Sequence, residues 1–175
     1  MVKFTIENKN GGKKMTDINN MEMVCCFYAS EWHLTAMLVP NIDREINRGI
    51  KITTILEKNL ENNMETLLKK LNLLNKKEIL NIGWNRNELD LNEIKKKIEN
   101  NECIIIVGTV EYIKKAHSLI EKCINKDRNI KIIDCYDINE CEREIRPIIN
   151  EHEKILNTLG EKDKEEYITE IKVAN

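Results

Sequence analysis

The sequence predicts a three-layer α/β domain, a five-stranded, mostly parallel sheet with helices on both faces in a RecA-like or Rossmann-like arrangement. Three observations predict it. From Met21 onward, strand-like and helix-like segments alternate five times. The strand-like segments are near-continuous apolar runs, as strands covered on both faces must be. The chain of 175 residues, 41% apolar and 33% charged, carries enough apolar mass for one core and little more.

The first strand is Met23-Val24-Cys25-Cys26-Phe27-Tyr28. Ser30 follows as an N-cap, since its hydroxyl can accept from a free first-turn amide. The next helix places Leu34, Met37, Leu38, Ile42 and Ile46 on one side, with Pro40 as a kink and Gly49 as the C-terminal stop. Ile50 to Leu56 reads as the second strand, and Leu60, Met64, Leu67, Leu68 and Leu71 as one face of the following helix. Ile79-Leu80-Asn81-Ile82 is read as the third strand, after which Asp90 and Glu93 form a capping box. Cys103 to Val107 is the fourth strand. It breaks at Gly108-Thr109 into a helix with Ile113, Ala116, Leu119, Ile120 and Ile124 inward.

Ile130 to Cys135 is the fifth strand, with Asp137 and Glu140 as a second capping box. Ile138, Cys141, Ile145, Ile148, His152, Ile155 and Leu159 then recur at steps of three and four, a heptad stripe. This stripe predicts a long helix across the sheet, with a homodimer seam through 138–159 as the alternative. The expected organisation is a flexible segment over 1–20, one domain over 21–160 and a charged tail over 161–175 that pairs with Val2 to Ile6 or frays. Met15 offers an alternative natural start.

A balance of 28 basic against 30 acidic residues leaves no field to neutralise a nucleic-acid backbone, so nucleic acid is not an expected partner. No stretch approaches the ~20 apolar residues that span a bilayer, and no leader pattern opens the chain; membrane contact is not expected and a cytoplasmic location is. The six cysteines are then reduced thiols rather than a disulfide framework. Cys135 and Cys141 are a weak candidate pair for redox sensing or metal, at a spacing that matches no zinc pattern. No metal site is expected, and the cofactor is left open.

Open parallel sheets bind ligands beyond the carboxyl ends of their strands. The rule nominates Tyr28, Ser30, Trp32 and His33 after the first strand, Glu57 after the second, Trp84, Asn85 and Arg86 after the third, and Gly108 and Thr109 after the fourth. Neither a phosphate loop nor a dinucleotide fingerprint is present. Ser30, His33 and Glu57 can be arranged as nucleophile, base and orienter only without the usual elbow around the serine. His117, on an apolar helix face, and His152, in the heptad stripe, read as packed or interfacial histidines.

The segment Cys26-Phe27-Tyr28-Ala29-Ser30, followed by Leu34, Leu38, Pro40, Ile42, Ile46 and Gly49 before a strand at Ile50, resembles the opening of the MEDS family of sensory domains. The end, Glu151-His152-Glu153-Lys154-Ile155-Leu156-Asn157, is similar to that family's closing helix. The resemblance rests on 23–56 and 145–160, and it implies a RecA-like sheet that has lost its phosphate loop and serves as a ligand sensor. The expected function is therefore a non-catalytic, regulatory domain that binds a small molecule or a regulatory protein. The alternatives are an enzyme acting on a nucleotide or other anion at Gly108-Thr109, with Glu57 or Glu111 as acid/base, and a protein-interaction module.

Overall fold

In the computed structural model, which describes residues 21–125 and 127–173, the chain forms one six-stranded sheet. The elements run β1 (Met21–Tyr28), α1 (Glu31–Asn47), β2 (Ile52–Leu56), α2 (Glu61–Lys70), α3 (Lys76–Asn81), α4 (Leu91–Glu99), β3 (Cys103–Val107), α5 (Val110–Cys123), β4 (Ile130–Asp137), α6 (Ile145–Glu151), β5 (Lys154–Asn157), β6 (Gly160–Asp163) and α7 (Lys164–Val173). Strand order is β2-β3-β4-β1-β5-β6, parallel throughout except for the β5–β6 hairpin. That order differs from the 3-2-1-4-5-6 of dinucleotide-binding folds. The expectations for residues 1–20 and for pairing by Val2 to Ile6 lie outside the described residues.

Alternation along each strand divides the apolar residues between two cores. Val24, Cys26, Tyr28, Ile105, Val107, Ile133 and Cys135 face α1, α2 and α3, where they meet Leu34, Leu38, Ile42, Met64, Leu68 and Ile79. Cys25, Ile104, Ile106, Ile132, Tyr136 and Ile155 face α4, α5 and α6, against Ile94, Ile98, Ile113, Ala116, Ile120 and Ile148. The fold class is thus the expected three-layer α/β. Ser30 and Asp90 cap α1 and α4 as their side chains predict. Gly49, at φ +80°, ends α1 in the left-handed region that suits glycine.

Four expectations are corrected. Ile79 to Ile82 is not a strand: Lys76 to Asn81 is a short helix, because Ile79 needs only one inward position and Leu80 turns to solvent. The sheet has six strands rather than five, since β5 and β6 replace the predicted third strand and extend the other edge. The heptad stripe is not one helix; α6 ends at Glu151 and the chain re-enters the sheet as β5, so Ile155 is a strand residue and Leu159 an exposed hairpin residue. Three heptad positions of apolar residues fit a helix and a strand equally well when each contributes only a turn or two. Asp137 and Glu140 do not open a helix; Asp137 Oδ1 accepts from the amide and side chain of Asn139, closing a local turn. The charged end also carries β6 and α7.

Two polar systems fix the sheet margins. Beneath α1, Lys131 on β4 binds Glu45 and Glu161, and Asn41 Nδ2 donates to Glu161 Oε1 at 2.9 Å, which ties β6 to α1. Burial pushes the Glu161 carboxyl upward, but Lys131 and Asn41 outweigh it and hold the group below the usual range. At the opposite margin, the outer edge of β2 is covered. Asn87 exchanges backbone and side-chain bonds with Leu56, Thr54 Oγ1 donates to the Gly83 carbonyl, and the Lys97 ammonium donates to the Thr54 carbonyl at 2.9 Å.

The helical assignment of 76–81 predicts an asymmetry. Ile79→Ala is expected to lower unfolding stability by about 2–4 kcal/mol, and Leu80→Ser to stay within about 0.5 kcal/mol of the parent, as read by urea denaturation. Comparable losses at both positions would contradict it.

Candidate functional site

The helices leave the sheet on alternating faces, and this locates its crevices. α1 departs from β1 into one layer and α6 from β4 into the other, although β1 and β4 are neighbours. A switch point therefore lies between the ends of β1 and β4, where Tyr28 and Asp137 are register partners. A second lies between β2 and β3, which send α2 and α5 to opposite faces.

The second crevice is closed by the chain itself. The Thr109 amide donates to Glu57 Oε2 at 2.6 Å and its hydroxyl to Oε1 at 3.4 Å, while the Glu57 amide donates to the Val107 carbonyl. Glu57 thus occupies the positive end of α5, the place where an external anion would sit. Thr109 is the N-cap, its Oγ1 accepting from the Tyr112 amide. Gly108 is required by space: a Cβ there would lie 2.6 Å from Tyr112 Cδ1 and 2.7 Å from Glu57 Oε2. Tyr112 donates to the Asn87 carbonyl; burial, then Glu57, pushes its hydroxyl up to about 12, with nearby Arg86 opposing.

The other nominated residues divide sharply. Trp84 is a core residue, 1% exposed, whose indole Nε1 donates to the Ile79 carbonyl at 2.7 Å. It closes α3 against the core rather than lining a pocket. Asn85 and Arg86 are exposed. Ser30 Oγ accepts from the His33 amide, and His33 Nδ1 accepts from the Ala29 amide at 3.1 Å. A ring that accepts at Nδ1 carries its proton on Nε2, so His33 caps the loop and does not draw a proton from Ser30. Glu57, bound to Thr109, does not complete a triad with them.

Tyr28 and Trp32 remain at the first crevice. Trp32 stands 53% exposed in the first turn of α1. Tyr28 is buried, its hydroxyl has no hydrogen-bond partner among the described residues, and the Lys58 ammonium lies 5.4 Å over its ring. Burial first, then Cys135, Asp137, Glu140 and Glu31, drives the Tyr28 hydroxyl far above its usual range, so it stays protonated.

Sequence reasoning missed the strongest polar feature. Asp134, in the middle of β4 and 1% exposed, accepts from two histidines. His117 Nε2 on α5 contacts Oδ1 at 2.9 Å and Oδ2 at 2.8 Å, and His152 Nε2, between α6 and β5, contacts Oδ2 at 2.8 Å. His152 Nδ1 faces the Ile148 carbonyl at 2.6 Å. Both histidines are packed, as expected, but they pack as partners of a buried carboxylate. The available signal was the aspartate itself, alone on the inward register of an apolar strand where an unpaired charge would be prohibitive.

Burial drives the Asp134 carboxyl upward, yet the charges and hydrogen bonds of His117 and His152 hold it below the ordinary range. His117 is pulled down by burial, but Asp134, then Glu121 and Glu151, hold it above its ordinary 6.5. The stabilisation from a raised histidine is complete below pH 6.5 and lost as pH climbs through its folded value; that from a depressed aspartate is lost only as pH falls below 3.8.

Cys135 and Cys141 do not come together, because Cys135 faces the α1 core and Cys141 the opposite one. No group of three or more metal-binding side chains occurs among the described residues. An open groove of about 460 Å³ runs along α5, lined by Val110, Glu111, Lys114, Lys115, Ser118 and Glu144. No described helix is long and apolar enough to cross a membrane. Comparison of the chain with protein-family models, with curated proteins and with solved structures gives no match.

All six cysteines are free thiols and only Cys123 is partly exposed. Burial pushes Cys25 and Cys103 up to about 12 and Cys141 to about 11. Titration of the native protein with a chromogenic disulfide should therefore give one fast thiol, removed by Cys123→Ser, with the others reacting only on unfolding. Two or more fast thiols in the native state would contradict this.

Proposed function

We propose that this chain is a non-catalytic sensor domain that binds a small ligand in the crevice between the ends of β1 and β4. The observation that carries the reading is the Tyr28 hydroxyl, a buried polar group without a partner among the described residues, at a switch point of the sheet. Such groups are rare, and each calls for a water, an ion or a ligand to complete it. Trp32, exposed in the first turn of α1, offers a planar apolar surface. The resemblance of 23–56 to MEDS sensory domains supports the same reading, since it implies a RecA-like sheet turned to ligand sensing. The regulated partner would be another protein.

The surroundings favour one ligand chemistry. Glu31, Asp137 and Glu140 bear electrostatically on Tyr28, so a neutral or cationic ligand with a hydrogen-bonding group suits the crevice better than a phosphate. The enzyme reading, with an anion at Gly108-Thr109, would require that anion to displace Glu57 from the Thr109 amide.

The experiment is a thermal-shift screen of aromatic amines, neutral aromatic alcohols, nucleotides and small apolar acids against the parent and Tyr28→Phe. Removing an unsatisfied hydroxyl should leave the unliganded variant as stable as the parent or better by about 1 kcal/mol, a rise of a few degrees in Tm. The same change should abolish the shift given by an amine or alcohol. A shift that survives in Tyr28→Phe, or one given only by nucleotides and lost in Thr109→Ala, would overturn the proposal.

A further inference from the structure

The protons of the buried cluster can be counted from its contacts. Three contacts lie between acceptor oxygens and ring nitrogens: His117 Nε2 to Asp134, His152 Nε2 to Asp134, and His152 Nδ1 to the Ile148 carbonyl. A carbonyl can only accept, so Nδ1 of His152 bears a proton. Each of the other two contacts also needs one. Two neutral imidazoles and a carboxylate supply two protons for three contacts, so the closed cluster holds one extra proton, as an imidazolium beside the carboxylate.

We infer that this extra proton is the key of a latch: with it, His152 joins the C-terminal turn of α6 to β4 and seats β5 beside β1; without it, one His152 contact must open and the α6–β5 segment is released. The segment is short. β5 pairs with β1 at Val24–Lys154, Cys25–Ile155 and Cys26–Leu156, with the Lys154–Glu22 ion pair and the Glu153 amide bond to the Met23 carbonyl beside them, and His152 lies two residues before β5 begins. A deprotonated ring would set a lone pair against either the carboxylate or the carbonyl where both His152 and Asp134 are buried, which costs more than the contact is worth. The other groups that bear on the cluster are Glu121 on α5, Glu151 on α6, Tyr136 on β4 and Cys25 on β1, with Lys164 of α7 close to Cys25. The two glutamates favour retention of the proton; Tyr136 and Cys25, raised by burial, stay neutral and do not compete for it.

One substitution separates the latch from a static ion pair. In Asp134→Asn the amide Nδ2 can donate to His152 Nε2 while Oδ1 accepts from His117, so three protons serve three contacts with both rings neutral. The measurement is amide hydrogen exchange from pH 6 to pH 9, corrected for the intrinsic rate, comparing residues 148–157 with β3. In the parent, protection of 148–157 should fall at least tenfold toward the alkaline end while β3 keeps its protection, and in Asp134→Asn the fall should be absent. A nitrogen-detected spectrum of the parent imidazoles supplies a second readout that does not depend on the variant folding: both His152 nitrogens should carry protons in the closed latch, with loss of that signal accompanying release. Flat protection in the parent, loss spread equally over β3, an unchanged His152 signal across the range, or the same alkaline fall in Asp134→Asn would each overturn the inference.

Discussion

A carboxylate in the middle of an apolar strand has to be neutralised in place, and in this protein that requirement organises the second layer. Asp134 sits on β4 with β3 and β1 on either side, so its partners must come from helices above the sheet. α5 supplies one from the β3–β4 crossover and the end of α6 supplies the other. The α6–β5 connection passes over β1, and the histidine that terminates α6 is what brings β5 down on the far side. A hydrophobic side chain at 134 would satisfy the core as well or better. What it would not do is specify where α6 ends.

The crest of the sheet shows a different economy of polar groups. Capping side chains are used against the protein's own amides: Ser30 and His33 at α1, Glu57 at α5, Asp137 within its own turn. Each removes a position that an external anion might have taken. Among the described residues two buried side-chain atoms are left without a partner, Asn41 Oδ1 on α1 and the Tyr28 hydroxyl, and of these the Tyr28 hydroxyl belongs to the strand ends.

The legibility of the sequence follows the length over which a pattern repeats. β1 and β3 were readable because five or more consecutive apolar residues admit few alternatives, β4 because Ile130, Ile132, Ile133 and Cys135 crowd one short segment, and α1 and α5 because their apolar faces recur over several turns beside Ser30 and Thr109. Residues 79–82 and 138–159 were misread for a common reason: Ile79 anchors a helix of one and a half turns, and Ile148 and Ile155 anchor a helix and a strand too short to show a period. Trp84, Asn85 and Arg86 were nominated after a strand that is in fact α3, and position after a strand cannot tell a capping residue from a ligand-facing one. Trp84 is the clearest case, since its indole is used inside the core. Asp134 was legible in principle, because a charge on the buried register of a strand implies a partner, but which histidines answer it depends on crossovers that join residues 17 and 18 positions away.

The covered outer edge of β2 bears on how such molecules could assemble. Asn87 occupies the Leu56 amide and carbonyl and Lys97 the Thr54 carbonyl, so an incoming strand would have to displace both to extend the sheet from that margin. Among the described residues the other margin of the sheet is β6. A sheet open at one margin alone would not propagate; two molecules meeting there would exhaust each other's capacity and give a finite pair rather than a fibre.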